Sequence, residues 1–140
     1  MTTPQPWIIV PGDPVAKARP RISLNGHAHT PVKTRRWETR AAYIARAAWN
    51  GPPLEGPVRV VVEVVHKRPA RLCRRKDPDD RIVNGSARQD LDNVVKAALD
   101  AIQGIAFRND NQVHLITARQ WYAARDEEPC VEILVEQVTG

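Results

Sequence analysis

The sequence predicts an α+β fold: one small domain in which a mixed β-sheet packs with two or three helices. Three observations predict it. The chain has 140 residues, the size of one domain able to bury its own core. Two segments, 34–49 and 90–103, repeat apolar residues at helical spacing. Four others, 7–10, 58–65, 113–122 and 130–138, are short and apolar or β-branched, as strands are. No internal repeat is visible, so a single domain is expected over 1–140.

Each element has its own local reason. Trp7 to Val10 is an apolar run ended by Pro11-Gly12. Pro14 to Asn25 is basic and broken by proline, and Gly26 to Pro31 reads as a turn. The first helix spans Thr34 to Trp49. Trp37, Ala41, Ile44, Ala45 and Ala48 form its apolar stripe, with Arg35, Arg36, Arg40 and Arg46 between them. Asn50-Gly51-Pro52-Pro53 stops it. Val58 to Val65 is a β-branched strand. Residues 67–89 are polar and basic without periodicity, and read as a long, partly mobile loop; such loops are usually functional or disordered. Asp90 to Gln103 is the clearest helix, with Leu91, Val94, Val95, Ala98, Leu99 and Ile102 on one stripe and Gly104 at its end. Phe107 to Asn111 is a polar turn into the strand 113–122. The charged turn Arg125-Asp126-Glu127-Glu128-Pro129 leads to the last strand, 130–138.

Composition excludes several classes. Apolar residues make up 42% and charged residues 26%, a globular balance that rules out a collagen-like or wholly disordered chain. No apolar run approaches the ~18 residues of a membrane span, and residues 1–7 do not read as a secretory signal. Cys73 and Cys130 make no CxxC pair, which excludes a zinc ribbon or a thioredoxin-like motif. Two unrelated reduced thiols in a cytoplasmic setting are expected.

The net charge of +5 is unevenly spread. Residues 17–46 hold eight bases and one acid, and residues 67–81 hold seven bases and three acids, so the remainder carries −6. Two basic segments frame an otherwise acidic protein, an arrangement that attracts a phosphate backbone and releases its counterions. Lys17, Arg19, Arg21, Arg71, Arg74, Arg75 and Lys76 are the candidate DNA contacts.

Three carboxylates, Asp90, Asp92 and Asp110, stand out against this background. Inside a helix Asp90 and Asp92 would diverge by about 200°. With Asp90 as N-cap that geometry lapses and both can face one point. Asp110 joins them if the strand after it packs beside the helix start. Such oxygen ligands suit Mg²⁺ or Mn²⁺, which can activate water for phosphodiester hydrolysis. Lys96 lies one turn after Asp92 and could neutralise charge on a phosphate. Each residue also has an ordinary use: Asp90 as a cap, Asp92–Lys96 as an i,i+4 ion pair, Asp110 in turn chemistry.

The string Asp90-Leu91-Asp92-Asn93-Val94-Val95-Lys96-Ala97-Ala98-Leu99-Asp100-Ala101-Ile102 resembles the signature of the RusA family of Holliday junction resolvases. Phe107-Arg108-Asn109-Asp110-Asn111-Gln112-Val113 resembles the second piece of that signature, at the right gap. Gly12 to Arg21 is similar to the start of many phage-type members, and Arg119 to Tyr122 to their basic-x-x-aromatic strand end. The resemblance implies a RusA-like homodimer: a divalent-metal-dependent endonuclease that nicks four-way DNA junctions symmetrically. It implies Asp90, Asp92 and Asp110 as metal-binding carboxylates, Lys96 as a supporting base and Asn93 as an amide orienting a carboxylate or phosphate. Mg²⁺ or Mn²⁺ is the implied cofactor, and a bacterial cytoplasm, with a phage or prophage gene as one source, the implied setting. Two departures stand in the motif, Asn109 where many members carry Asp, and Gln89 where many carry Pro. The rival readings are a DNA-binding protein without nuclease activity, and a nuclease of branched or flapped DNA more generally.

Overall fold

The computed structural model describes residues 4–17, 32–86 and 90–139, together with the backbone of 21–22 and 28–29. Five strands form one mixed sheet: β1 (Ile8–Pro11), β4 (Val58–His66), β5 (Ile82–Val83), β6 (Val113–Tyr122) and β7 (Cys130–Gln137), in the order β1-β7-β4-β6-β5. Two helices, α1 (Val32–Ala48) and α2 (Leu91–Ile102), complete the domain. The α+β class and the mixed sheet with two helices are as the sequence predicts. A two-stranded ribbon, β2 (Arg21–Ile22) with β3 (Ala28–His29), lies in the stretch read as basic coil and turn.

The sheet is mixed because β4 and β6 run parallel while β7 lies antiparallel to β4 and to β1. Parallel neighbours need a long crossover, which α2 supplies. Both helices cover the same sheet face. Val58, Val60, Val62 and Val64 of β4 point into that core, with Ile8, Val10, Val131, Ile133 and Val135 beside them. The predicted stripe of α2 packs on them: Val94, Val95, Ala98 and Ile102 are buried, with Ala97 and Ala101, while Leu91 and Leu99 are half-covered. Small alanines let the helix lie close to the sheet. On α1, Trp37, Ala41 and Ala45 are buried and Ile44 and Ala48 pack at the margin.

Gly104 (φ 87°) follows the last turn of α2, in the left-handed region where glycine carries no steric cost. Its N–H donates to Phe107 O at 2.7 Å, turning the chain back. Phe107, the chain's one phenylalanine, is fully buried beside Leu54 and Gln103.

The opposite sheet face is mixed, with a small apolar cluster of Val65, Ala123, Cys130 and Trp121 at one end and charged residues beside it. Glu63 and Glu132 stand directly across β4 and β7, a like-charge pair that costs stability unless each is neutralised. Arg119 and the Trp121 indole N–H (2.7 Å) both bond Glu63. Arg81 bonds Glu132 at 3.0 Å and also Glu127.

The segment after β4 differs from the structureless loop the sequence suggests. It holds a 3-10 turn, Ala70–Leu72, and the strand β5 against the end of β6. Arg68, only 8% exposed, organises it by donating to the carbonyls of Leu72 (2.7 Å), Pro78 and Asp80. Arg125 reaches in from the far side to the carbonyls of Cys73, Arg74 and Asp77 and to the Asp79 carboxylate. β5 covers only Trp121 and Tyr122, so among the described residues no strand pairs the outer edge of β6 from Val113 to Arg119. Also among the described residues, no helix is long and apolar enough to cross a membrane.

Candidate active site and nucleic-acid surface

Asp90 is the N-cap of α2, with extended dihedrals (φ −69°, ψ 132°), and its backbone carbonyl accepts from Asn93 and Val94. Its carboxylate makes no capping hydrogen bond and has no other partner among the described residues. The usual reason for an Asp at this position is therefore not operating here. Asp92, exposed in the first turn, accepts only from the neighbouring Asn93 N–H at 3.0 Å. Lys96 is exposed one turn on and forms no ion pair with Asp92 or with any described residue. Asn93 turns its carbonyl to Lys17 N–H at 2.8 Å, tying the 12–17 segment to the helix start.

Asp110 opens a 3-10 turn, Asp110–Gln112, just before β6. Asn109 caps that turn: its side chain accepts from Asn111 N–H at 3.0 Å. Asn109 thus has a structural task that a neutral side chain performs. Gln112 is the clamp. Its oxygen accepts from the N–H groups of Arg108 and Asn109, and its amide donates to the carbonyls of Leu54 and Gly56, both at 2.9 Å. The glutamine of the second motif is legible only as a motif letter; its bonds explain it. The Asp110 carboxylate stays exposed and unpaired among the described residues.

The three carboxylates do not meet within one chain. Asp90 and Asp92 stand at the start of α2, and Asp110 lies beyond its other end. Twelve helical residues span about 18 Å. β6 begins beside the start of β4, next to the C-terminal end of the helix, rather than beside its N-cap. The condition under which Asp110 would join the other two, a strand packed beside the helix start, is not met within one chain. Among the described residues no three His, Cys, Asp or Glu side chains gather where they could hold a metal ion. The donors fit Mg²⁺ or Mn²⁺ in kind, being hard, exposed and unpaired oxygens. In number, one chain brings two of them together.

The candidate DNA contacts divide sharply. Lys17 is 17% exposed and pairs with Glu38 (2.7 Å) and Asp100 (3.2 Å), so it acts as a strut between α1 and α2. Burial works against its charge, but the two carboxylates outweigh it and hold its pKa above the ordinary value. Asp100, third charge on the Asp92–Lys96 face, is thereby spent on packing. Arg74 folds back on Asp77. Arg71 stacks over the Tyr122 ring at 5.8 Å and donates to its hydroxyl. Arg75 and Lys76 are exposed with no partner among the described residues. Arg19, and the side chain of Arg21, lie outside the described residues.

Comparison with known proteins agrees with this architecture. Residues 11–136 match the family model of endodeoxyribonuclease RusA. The chain is also 30% identical over 136 residues to the uncharacterized protein YqaN of Bacillus subtilis (strain 168), covering 92% of this chain and 94% of that protein. The chain belongs to the RusA endodeoxyribonuclease family.

Proposed function

We propose that this RusA-family nuclease resolves four-way DNA junctions as a homodimer, cutting phosphodiesters with Mg²⁺ or Mn²⁺. One observation carries the reading. Asp90, Asp92, Lys96 and Asp110, which sit in the two motifs that carry the family resemblance, are exposed and lack ion-pair partners among the described residues, whereas Asp100 of the same motif is paired. Exposed acids without an ion pair also stand at Asp80 and Asp126, so it is the coincidence of free carboxylates with the two motifs that points to binding.

Asp90 and Asp92 would hold the metal, with Asp110 from a second copy as the third ligand. The distance between the two ends of α2 is what calls for that second copy. A dimer of this kind carries two equivalent sites, which suits a four-way junction with its own two-fold symmetry. When bound, the metal supplies an activated water and shields the phosphate charge. Lys96, one turn from Asp92, would donate to a phosphate oxygen as charge builds on it. The Asn93 N–H holds Asp92 in its rotamer. Arg75 and Lys76 would hold flanking phosphates from the loop tip.

A synthetic four-way junction tests this directly. Asp92→Asn should bind the junction normally and cut it at least ~100-fold more slowly. Asp110→Asn alone should behave likewise. Mixing the two variants should restore one working site per dimer and give single nicks. Wild-type cutting by Asp92→Asn would overturn the catalytic assignment, and no recovery on mixing would overturn the shared site. Equal cutting of flaps and junctions would favour a broader branched-DNA nuclease. Binding without metal-dependent nicking would favour a non-catalytic DNA-binding protein.

A further inference from the structure

We propose that the cavity between the end of β1 and the first half of α1 seats a backbone phosphate of DNA. This rests on the nuclease reading and adds a contact that lies away from the 67–81 loop. The cavity measures about 280 Å³ and is lined by Gly12, Asp13, Val15, Arg36, Trp37 and Arg40. That is slightly below the range of drug-sized ligand sites, about 300–1,000 Å³, and leaves room for a phosphate.

Two arginines line it, with the Trp37 side chain in its wall. The Trp37 indole N–H is buried in a residue 4% exposed and has no hydrogen-bond partner among the described residues. A buried donor left unmatched is costly, and a phosphate oxygen is a fitting acceptor. Arg36 has no partner among the described residues. Arg40 uses one nitrogen on the Pro11 carbonyl, and a guanidinium has further N–H groups to give. Gly12 (φ 105°) makes this approach possible: a Cβ there would sit 2.8 Å from the Arg40 guanidinium.

The surrounding charge selects an anion. The first turn of α1 contains no acid, and Glu38, the one acid on the helix, is taken by Lys17. Asp13 lines the cavity with a single negative charge against two arginines. The position also suits a DNA strand. Five residues lead from Gly12 to Lys17, whose N–H bonds Asn93 beside Asp92. At full extension that path is at most about 17 Å, a few nucleotides of backbone.

The test uses full-length protein and a four-way junction, with Ca²⁺ in place of Mg²⁺, so that binding is read without cutting. Affinity is measured across a salt series. Arg36→Ala should lose roughly tenfold in affinity and reduce the salt slope by about 0.9, one phosphate contact. Arg35→Ala removes the same charge from the same helix but does not line the cavity, and should keep the slope. Trp37→Phe keeps an aromatic ring but not the indole, removes the N–H, and should weaken binding roughly fivefold at unchanged slope. Inorganic phosphate should shift the Trp37 indole N–H signal in wild type and not in Arg36→Ala. Identical slopes for Arg36→Ala and Arg35→Ala, or an unmoved Trp37 signal, overturn the proposal. Loss of metal-dependent cutting with binding intact overturns the nuclease reading alone and leaves the cavity result standing.

Discussion

Cys73 and Cys130 sit in opposite environments, and this is the cleanest residue-scale test of the fold. Cys73 is exposed on the arginine-held loop; Cys130 is buried at the start of β7, and both are free. Burial, with Glu132 and Glu127 nearby, pushes the Cys130 thiol up from 9.0 to about 11. The folded state therefore prefers the neutral thiol. Its contribution is fully present below the unfolded pKa of 9.0 and is lost as pH rises through about 11. Iodoacetamide at neutral pH should label one thiol per chain, and the second only after denaturation. Melting temperature should fall between pH 9 and 11 more steeply in wild type than in Cys130→Ala. Two labels on the native protein, or parallel pH curves, would contradict the burial of Cys130. The same scale explains why counting bases overstates the binding surface. Lys17, Arg81 and Arg119 are engaged by acids, whereas Arg36, Arg75 and Lys76 have no acid partner among the described residues.

At the scale of elements, legibility followed periodicity. α2 was readable because its buried residues recur at helical spacing and Asp90 and Gly104 mark its ends. The strands 113–122 and 58–65 were readable from their β-branched runs. The segment after β4 was not, because Arg68 holds it together through backbone carbonyls. A buried arginine bonding main-chain oxygens leaves no pattern in the side chains around it. Removing it should leave those carbonyls unmatched. Arg68→Ala should cost roughly 2 kcal/mol of local stability. Trypsin cleavage around Arg74, Arg75 and Lys76 should then run up to roughly thirtyfold faster, with global melting little changed. Unchanged proteolysis would mean that Arg125 alone suffices to fix the loop. The separation of Asp110 from Asp90 was equally hidden. Motif spacing reports how far apart residues are along the chain, and a helix between them keeps them apart in space.

At the scale of the whole molecule, the fold puts its structural and chemical work on different faces. One sheet face carries the helices and core; the other balances Glu63 and Glu132 with arginines. The motif carboxylates lie apart, Asp90 and Asp92 at the start of α2 and Asp110 in the turn beyond its end. The family was legible from two linked motifs, while the distance between the motifs emerges only once both are placed in space. The bare edge of β6 bears on handling the protein. Over Val113 to Arg119 the outward-facing backbone groups have no strand partner among the described residues, and with exposed Leu115 and Ile116 in the same stretch they form a template on which other chains can stack in register. Concentrated solutions should therefore shed ordered, β-rich aggregate over days. Thr117→Lys, a charge on an exposed position of that edge, should suppress this without lowering the melting temperature. Equal turbidity in both proteins would place the weak point elsewhere. Solubility, on this view, is governed by one unguarded strand more than by the +5 charge.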